Sequence, residues 1–407
     1  MKSDRPNLSS TVRDTYLPFG KPNFSDAEIA AATRVLRSGW IGMGPETELF
    51  ERELEAFVGA PHVVTVNSCT SALFLSLLTA GVSAGDEVVC PSLTWCSTAN
   101  AAMYLGARPV FCDVDPQTLC ASPDDVAAKL TSKTKAVIVV HFGGLAVDVD
   151  ALRKTLPPRV AIVEDAAHAL GARYADGRPV GSSGNPTCFS FYANKNLSTG
   201  EGGAVALSDP AAADRIRSLR QHGLPIDAWK RFTHPQTLLL SSGLTELGYK
   251  MNYTDLQATI GRVQLARQQE FHARRLEIAA RYVAGLGRLD PAPAFQHACV
   301  DPFHARHLFV IKLPPAPGIQ RREDIVLALR RKNVGASVHY APLHLMPLYD
   351  DGRKRPELPV TESLTTSLIT LPISADMTAD DADYVVAHLS PLLAGAAVAP
   401  SGAGVER

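Results

Sequence analysis

The sequence predicts an α/β protein, with a mostly parallel mixed sheet flanked by helices and a smaller α+β unit towards the C-terminal end. Between residues 62 and 208, short apolar runs alternate with helical stretches, a rhythm typical of parallel strands buried on both faces. The 407 residues, 46% of them hydrophobic, can bury a large core. We predict a large domain at 14–262, a small domain at 263–393, and disordered tails at 1–13 and 394–407.

The predicted elements follow from apolar periodicity and from the residues that end each run. Strands of the large domain are predicted at 62–66, 87–90, 109–114, 135–141, 160–165, 187–191 and 204–208. Helices are predicted at 70–79, 96–105, 124–130 and 149–156, and one long helix at 254–286 leads out of the large domain. The predicted small domain contains an apolar run at 307–313, a helix at 323–332, a strand near 336–340 and a last helix at about 379–393.

Composition excludes several classes of function. A formal net charge of -1, without a run of five or more like charges, argues against nucleic-acid binding. No apolar stretch approaches the roughly 20 residues of a membrane span, and residues 1–7 do not resemble a signal peptide, so a cytoplasmic protein is expected. Seven scattered cysteines are predicted to be reduced thiols, and no motif indicates a metal site.

Three segments that follow predicted strands carry candidate chemistry. Ser68 and Thr70 open a helix, where they either bind a phosphate or cap the helix. Asp165 ends a buried strand, with His168 three residues later; the carboxylate either pairs with a protonated heterocycle or caps the strand end. Lys195 lies between an aromatic strand and a glycine-rich turn, a setting that could lower its pKa for Schiff-base chemistry.

The motifs in these segments, in their order along the chain, resemble the DegT/DnrJ/StrS sugar aminotransferase family. They are 67–73 (NSCTSAL), 85–88 (GDEV), 164–168 (EDAAH), 190–195 (SFYANK) and 200–203 (GEGG). Further matches at 38–40, 44–45 and 248–265 extend the resemblance over about residues 15–393. Cys69 departs from the pattern, because many relatives have glycine at that position.

The resemblance implies a fold-type-I aminotransferase that uses pyridoxal phosphate, with pyridoxamine phosphate as its second form, in a homodimer with shared active sites. Lys195 matches the Schiff-base lysine, which also moves the substrate proton, and Asp165 matches the partner of the pyridine nitrogen. The other matched cofactor contacts are Thr70, the backbone of Ser71, Trp95 stacked on the ring, His168 near the phenolic oxygen, Ser190, and Asn252 reaching the neighbouring subunit's phosphate.

The implied reaction is ping-pong transfer of an amino group from L-glutamate, or glutamine, to a keto sugar nucleotide. Segments 94–98, 165–169 and 222–231 look most like the branch that aminates 4-keto NDP-hexoses or UDP-pentoses. Expected substrate contacts are Trp40, Met43, Tyr192 and His339, with Lys230, Arg231 and Lys250 as candidate cations. The alternatives are a 3-keto sugar nucleotide, a keto-inositol of aminocyclitol biosynthesis, or a regulator that binds cofactor or sugar without turnover. The three cations could equally be surface charges, and His339 a core histidine.

Overall fold

The computed structural model describes residues 12–224, 229, 233, 244, 246–314 and 318–394, with the backbone alone at 318–320. Of the predicted tails, 1–13 and 394–407, residues 1–11 and 395–407 lie outside the described residues, as do Lys230 and Arg231. Arg13, placed in a tail by the sequence, forms an ion pair with Asp381. In the part of the chain described, no helix is both long enough and apolar enough to cross a membrane.

A seven-stranded sheet lies at the centre of the large domain, with strand order β1-β7-β6-β5-β4-β2-β3. The strands are β1 (His62–Val66), β2 (Glu87–Pro91), β3 (Arg108–Cys112), β4 (Thr134–Val140), β5 (Ala161–Asp165), β6 (Thr187–Ser190) and β7 (Gly203–Leu207). Of these described strands, β7 alone runs against its neighbours. All seven predicted strands are therefore confirmed, and the sheet is mostly parallel and mixed, as expected.

Helices cover both faces of this sheet and connect it to a second, three-stranded antiparallel sheet. The helices are α1 (Asp26–Ser38), α2 (Pro45–Val58), α3 (Cys69–Thr79), α4 (Cys96–Met103), α5 (Pro123–Ala128), α6 (Val149–Thr155), α7 (Pro210–Leu219), α8 (Asp255–Ala266), α9 (Gln268–Leu286), α10 (Gly318–Arg331), α11 (Pro359–Leu364) and α12 (Ala379–Leu393). The second sheet has the order β10 (Leu368–Leu371), β9 (Phe309–Lys312), β8 (Ala294–Phe295). The sequence did not predict α1, α2, α7, α11, β8 or β10.

The single long helix predicted at 254–286 is wrong, because the chain forms two helices with a break at Arg267. Arg267 leaves helical geometry, with φ -95° and ψ 3°, and its guanidinium binds Glu28 and Asn23 near the start of α1. Helix α8 packs on α1 and α2, whereas α9 packs on α12. The break lets the chain turn from α1 and α2, on which α8 packs, towards α12, on which α9 packs. The predicted boundary at 262/263 falls within α8, and the division into domains stays a prediction.

The strand predicted near 336–340 is also wrong, since the segment makes one isolated bridge, between Ser337 and Thr370. The backbone of Gly335 lies so close to the N-terminal segment that an added Cβ would be 2.7 Å from the carbonyl oxygen of Leu17. After Ser337 the chain leaves the small sheet. His339 and Tyr340 consequently enter a cavity at the edge of the large sheet.

The strands β1 and β6 end at that edge of the large sheet, and β7 begins there. Its first residue, Gly203, pairs with both Val66 of β1 and Ser190 of β6. A Cβ on Gly203 would lie 2.6 Å from the amide nitrogen of Cys69, so glycine is required for this close approach. The chain between β6 and β7 forms a closed loop, residues 191–202, since the N–H of Phe191 donates to the carbonyl of Gly202 at 2.9 Å.

The buried carboxylate of Asp255 holds the start of α2 and provides a test of the packing. It accepts hydrogen bonds from the Gly44 and Thr47 N–H groups at 2.8 and 2.9 Å. We expect Asp255→Ala to lower the free energy of unfolding by about 2 kcal/mol, because buried donors lose their acceptor. The exposed cap Asp209, bonded to the N–H of Ala211, is the matched control, and Asp209→Ala should cost about half as much. Equal shifts of the urea midpoint would contradict the role of Asp255.

Candidate active site

A cavity of about 510 Å³ opens at the edge of the sheet where β1, β5 and β6 end. It brings together eight of the residues that the sequence singled out: Thr70, Trp95, Asp165, His168, Ser190, Tyr192, Lys195 and His339. Asp165 and Ser190 end β5 and β6, and Thr70 lies in the first turn of α3. The position at the carboxyl ends of parallel strands is that expected for ligands in α/β sheets.

Lys195 lies on the closed loop between β6 and β7, and its amine is inside the protein. Burial lowers the pKa of Lys195 from 10.5 to about 8, although the neighbouring Cys69 and Asp165 oppose the shift. A lysine with this pKa has an appreciable neutral fraction near pH 7 to 8, and only the neutral amine is a nucleophile or a base. The lowered pKa expected from the sequence is therefore present, with enclosure by the protein as its main cause.

Asp165 is a buried carboxylate that faces the cavity. It accepts hydrogen bonds from the Thr98 hydroxyl at 2.7 Å and the Ala167 N–H at 3.1 Å. Burial raises the pKa of Asp165, against those hydrogen bonds and the charge of Lys195. Within the described residues it makes no ion pair. A buried carboxylate without a cationic partner is suited to a ligand that brings a positive charge, such as a protonated ring nitrogen.

The neighbouring carboxylate, Glu164, faces the other side of the sheet and has no room for a ligand. It accepts hydrogen bonds from Tyr174 at 2.6 Å and from His141 at 2.9 Å, and it also binds Ser183. Burial raises the pKa of Glu164, but these hydrogen bonds outweigh burial and lower the pKa below its usual value. Its partners indicate a structural role for Glu164, and they leave Asp165 as the carboxylate available to a ligand.

The hydrogen bonds of His168 fix the position of its proton. The N–H of Gly143 donates to Nδ1 at 3.3 Å, so in the neutral ring the hydrogen is on Nε2, 3.1 Å from the hydroxyl of Tyr340. Burial lowers the pKa of His168 well below its usual value, and the nearby Lys195 and His339 add to the shift. His168 is therefore a neutral donor that faces the cavity.

The start of α3 has the helix cap that the sequence offered as one interpretation, and phosphate binding there stays a prediction. Ser68 caps the helix, accepting a hydrogen bond from the N–H of Ser71 at 3.1 Å. The Ser71 hydroxyl is turned away and donates to Asn67 at 2.6 Å. Thr70 and Ser190 line the cavity beside this helix start. A helix N-terminus flanked by two hydroxyl groups is suited to a phosphate group.

Four predicted residues do not line this cavity: Ser71, Trp40, Met43 and Asn252. The last three line a second cavity of about 310 Å³, together with His222 and Lys250. The amide of Asn252 donates to the carbonyl of Tyr253 at 3.0 Å. Within one subunit, the structure thus separates these residues from Lys195.

The sequence did not single out His307, Thr98 or Tyr340, although all three contact residues of the site. His307 Nε2 lies 3.2 Å from Nζ of Lys195, across 112 positions of the chain. Thr98 was part of a matched segment, but nothing local indicated its contact with Asp165. Tyr340 lies beside Trp95, with their ring centroids 5.9 Å apart. In the described part of the chain, no group of three His, Cys, Asp or Glu side chains is arranged to hold a metal ion.

Pyridoxal phosphate, which the resemblance implies, fits these residues. The unpaired Asp165 can bind a protonated pyridine nitrogen, and the start of α3 with Ser190 can bind the phosphate. Trp95 is 61% exposed at the wall of the cavity, which leaves its face free for a ring. Lys195 is the amine that can bond to an aldehyde. Every chemical group of the cofactor thus has a suitable residue.

Comparison with known proteins identifies the family. The model of the DegT/DnrJ/EryC1/StrS aminotransferase family matches residues 22–390. The chain is 40% identical over 388 residues to the spore coat polysaccharide biosynthesis protein SpsC of Bacillus subtilis (strain 168), covering 94% of this chain and 99% of that protein.

Solved structures show the same fold over nearly the whole chain. The aminotransferase TlmJ from Streptoalloteichus hindustanus has a TM-score of 0.84 at 35% identity, covering 93% of this chain and 99% of that one. The PMP-form of Spr1654 from Streptococcus pneumoniae, described as a sugar aminotransferase, has a TM-score of 0.86 at 30% identity, covering 94% and 100%. Fold and motifs agree with the family model, and the chain belongs to the DegT/DnrJ/EryC1/StrS aminotransferase family.

Proposed function

We propose that this aminotransferase moves an amino group from L-glutamate to the keto carbon of a sugar carried on a nucleotide, with a 4-keto NDP-hexose or UDP-4-keto-pentose as acceptor. Pyridoxal phosphate is its cofactor. The observation that carries the proposal is the juxtaposition, in one cavity, of a lysine with a lowered pKa and a buried carboxylate, Asp165, that makes no ion pair within the described residues. A binding protein without turnover has no need of such a lysine.

The chain's own residues divide the work of the reaction. The cofactor, once bound, withdraws electrons from the carbon that loses its proton. Asp165, oriented by Thr98, would bind the ring nitrogen of the cofactor and keep it protonated, and His168 would donate to the phenolic oxygen. Nζ of Lys195 would take the proton from the substrate carbon and return it to the substrate–cofactor pair. The contacts of Asp165 and His168 with the backbone hold both side chains rigid before substrate arrives.

Two residues that line the cavity, Tyr192 and His339, are proposed to bind the sugar. Tyr192 is 47% exposed beside Lys195 and can lie along the sugar ring. His339 lines the cavity while its Nδ1 lies 2.9 Å from the hydroxyl of Thr370. Burial, with a smaller effect of Lys195, lowers the pKa of His339 to about 4. It is therefore a neutral hydrogen-bonding partner, suited to hydroxyl groups, and it combines this role with a fixed place in the core.

The second cavity is proposed to complete the site of a neighbouring subunit in a homodimer. Trp40, Met43, Lys250 and Asn252 lie together there, apart from Lys195 of the same chain. An aromatic ring, a cation and an amide form a suitable group for a nucleotide base and its phosphates. SpsC, the relative from Bacillus subtilis, is named for polysaccharide biosynthesis, which supports a sugar as the acceptor.

The experiment that tests this function follows the visible absorbance of the purified protein loaded with pyridoxal phosphate. L-glutamate should remove the yellow colour, and one keto sugar nucleotide should restore it with formation of an amino sugar. The panel includes 4-keto and 3-keto hexose nucleotides, UDP-4-keto-pentose and a keto-inositol, with glutamine as an alternative donor. Restoration by the keto-inositol alone would overturn the proposal of a nucleotide sugar, and a protein that does not take up the cofactor would overturn the enzyme.

A further inference from the structure

His307 is a buried histidine that contacts the amine of Lys195, and neither the motifs nor the proposed function uses it. Its Nε2 is 3.2 Å from Nζ of Lys195. Its Nδ1 is buried and has no hydrogen-bond partner among the described residues. The ring lies beside His168, with centroids 4.5 Å apart. In the part of the chain that the structure describes, the lysine amine is therefore the one hydrogen-bonding contact of this imidazole.

The backbone around His307 is anchored from two directions. The N–H of Leu308 donates to the carbonyl of Gly143 at 3.2 Å, and the N–H of Gly143 donates to His168. On the other side, the amide of Asn196, the residue after Lys195, donates to the carbonyl of Ala305 at 2.9 Å. The segment that carries His307 is thus hydrogen-bonded both to the turn at Gly143, which contacts His168, and to the loop that carries Lys195.

A third anchor is Arg275, a cation from α9 that is only 3% exposed. Its guanidinium donates to the carbonyl oxygens of Arg306 and Ile373, both at 3.1 Å. Within the described residues it has no carboxylate partner, and its Nε is buried without a hydrogen bond. The cation thus fixes the peptide unit directly before His307 and places an uncompensated positive charge near the imidazole.

The surroundings keep His307 neutral. Burial lowers the pKa of His307 well below its usual value, and Lys195, His168 and Arg275 lower it further. Protonated His307 would add a cation in contact with Lys195 and near the buried Arg275. A neutral imidazole beside an amine can accept one of its hydrogens but does not take its proton.

We propose that His307 is the positioning residue for Lys195: its Nε2 accepts an N–H of the lysine whenever the lysine is free, and thereby directs the amine at the reacting carbon. This inference rests on the proposed role of Lys195 as the proton carrier. The proton passes from the substrate carbon to Nζ and from Nζ to the carbon on the cofactor side, and His307 gains none. Arg275 acts through the backbone, holding His307 within reach of Nζ.

The matched variants are His307→Leu, which removes the acceptor, and His307→Gln, whose amide oxygen can replace Nε2. The first measurement uses protein freed of cofactor and records the rate at which Lys195 bonds to added pyridoxal phosphate, as a function of pH. For the native protein we expect a midpoint near the lysine pKa of about 8. An acceptor stabilises the ammonium form, so His307→Leu should move the midpoint down by about one pH unit, and His307→Gln should keep it.

The second measurement is a single turnover with L-glutamate deuterated at the α carbon. A misdirected amine slows proton transfer, so His307→Leu should reduce the rate about 100-fold and raise the isotope effect, with little change in the concentration of glutamate needed for half-saturation. His307→Gln should recover most of the rate. A purely structural defect would lower the fraction of folded protein without changing the midpoint or the isotope effect.

Controls separate this inference from the function on which it rests. Borohydride reduction and peptide mapping show whether the cofactor is attached to Lys195; attachment elsewhere would refute the proposed function. With attachment at Lys195, an unchanged or raised midpoint in His307→Leu would overturn the inference. If His307→Leu does not fold, His307→Asn replaces it, since its shorter amide cannot reach Nζ. His388→Leu, at a buried histidine of α12 bonded to the carbonyl of Tyr384, should leave both measurements unchanged.

Discussion

Lys195→Ala is expected to abolish transamination, with kcat falling by about 10⁴-fold or more. The substitution removes both the nucleophile that bonds to the cofactor and the base that carries the proton, and general acid–base catalysis alone contributes about 10² to 10⁴. The variant should still fold, because Lys195 lies on a loop whose two ends are joined to the sheet. The measurement is the rate of amino sugar formation together with the visible spectrum.

Two matched variants show that this loss is specific to Lys195. Lys195→Arg keeps a positive charge, yet its guanidinium is too basic to become the neutral base, so it should be as inactive as the alanine variant. Lys21→Ala removes an exposed lysine paired with Asp376 and should retain full activity. Turnover of Lys195→Ala at the native rate would show that another group carries the proton.

Asp165→Asn is expected to have the second largest effect, a loss of about 100-fold or more in kcat. Without a protonated ring nitrogen the cofactor withdraws electrons from the reacting carbon less strongly, and a loss of about 100-fold in rate corresponds to about 2.7 kcal/mol of activation free energy. The amide keeps the size of the side chain and can still accept from Thr98, but it cannot hold a proton on the ring nitrogen. The carboxylate of Asp165→Glu should preserve more activity than the amide.

A variant of the adjacent carboxylate, Glu164, distinguishes a role of Asp165 in catalysis from a contribution of Asp165 to folding. Glu164→Gln should lower thermal stability, because Glu164 is surrounded by His141, Tyr174 and Ser183, while the activity of the folded fraction changes little. Asp165→Asn should show the opposite pattern, with a normal melting temperature and slow turnover. Identical patterns for the two variants would contradict the assignment of Asp165 to the ligand.

The sequence predicts the large sheet well because its strands are buried on both faces. Runs such as the one in β4, with five apolar residues from Ala136 to Val140, have one simple interpretation. The residues after β5 and β6 were correctly placed in the cavity for the same reason. The carboxyl ends of parallel strands meet at one edge.

Other features depend on tertiary contacts that no local pattern reveals. The break at Arg267 depends on the distant Glu28, and the apolar periodicity continues through it. His307 meets Lys195 only because the entry to β9 folds back onto the Gly143 turn. Nothing about a histidine followed by an apolar strand indicates such a contact, so the residue could be found only in three dimensions.

The antiparallel course of β7 determines which residues of the site are fixed to the large sheet. Both ends of the 191–202 loop are fixed to adjacent strands, because Ser190 pairs with Gly203. The backbone of Lys195 is therefore fixed relative to the large sheet. The positions that its amine can occupy are set by the four methylene groups of the side chain. Tyr340, in contrast, is carried by a segment that leaves the small sheet after Ser337. A rotation of that sheet would move Tyr340 relative to the cavity, whereas His307, bonded through its neighbours to Gly143 and Asn196, would keep its place beside Lys195.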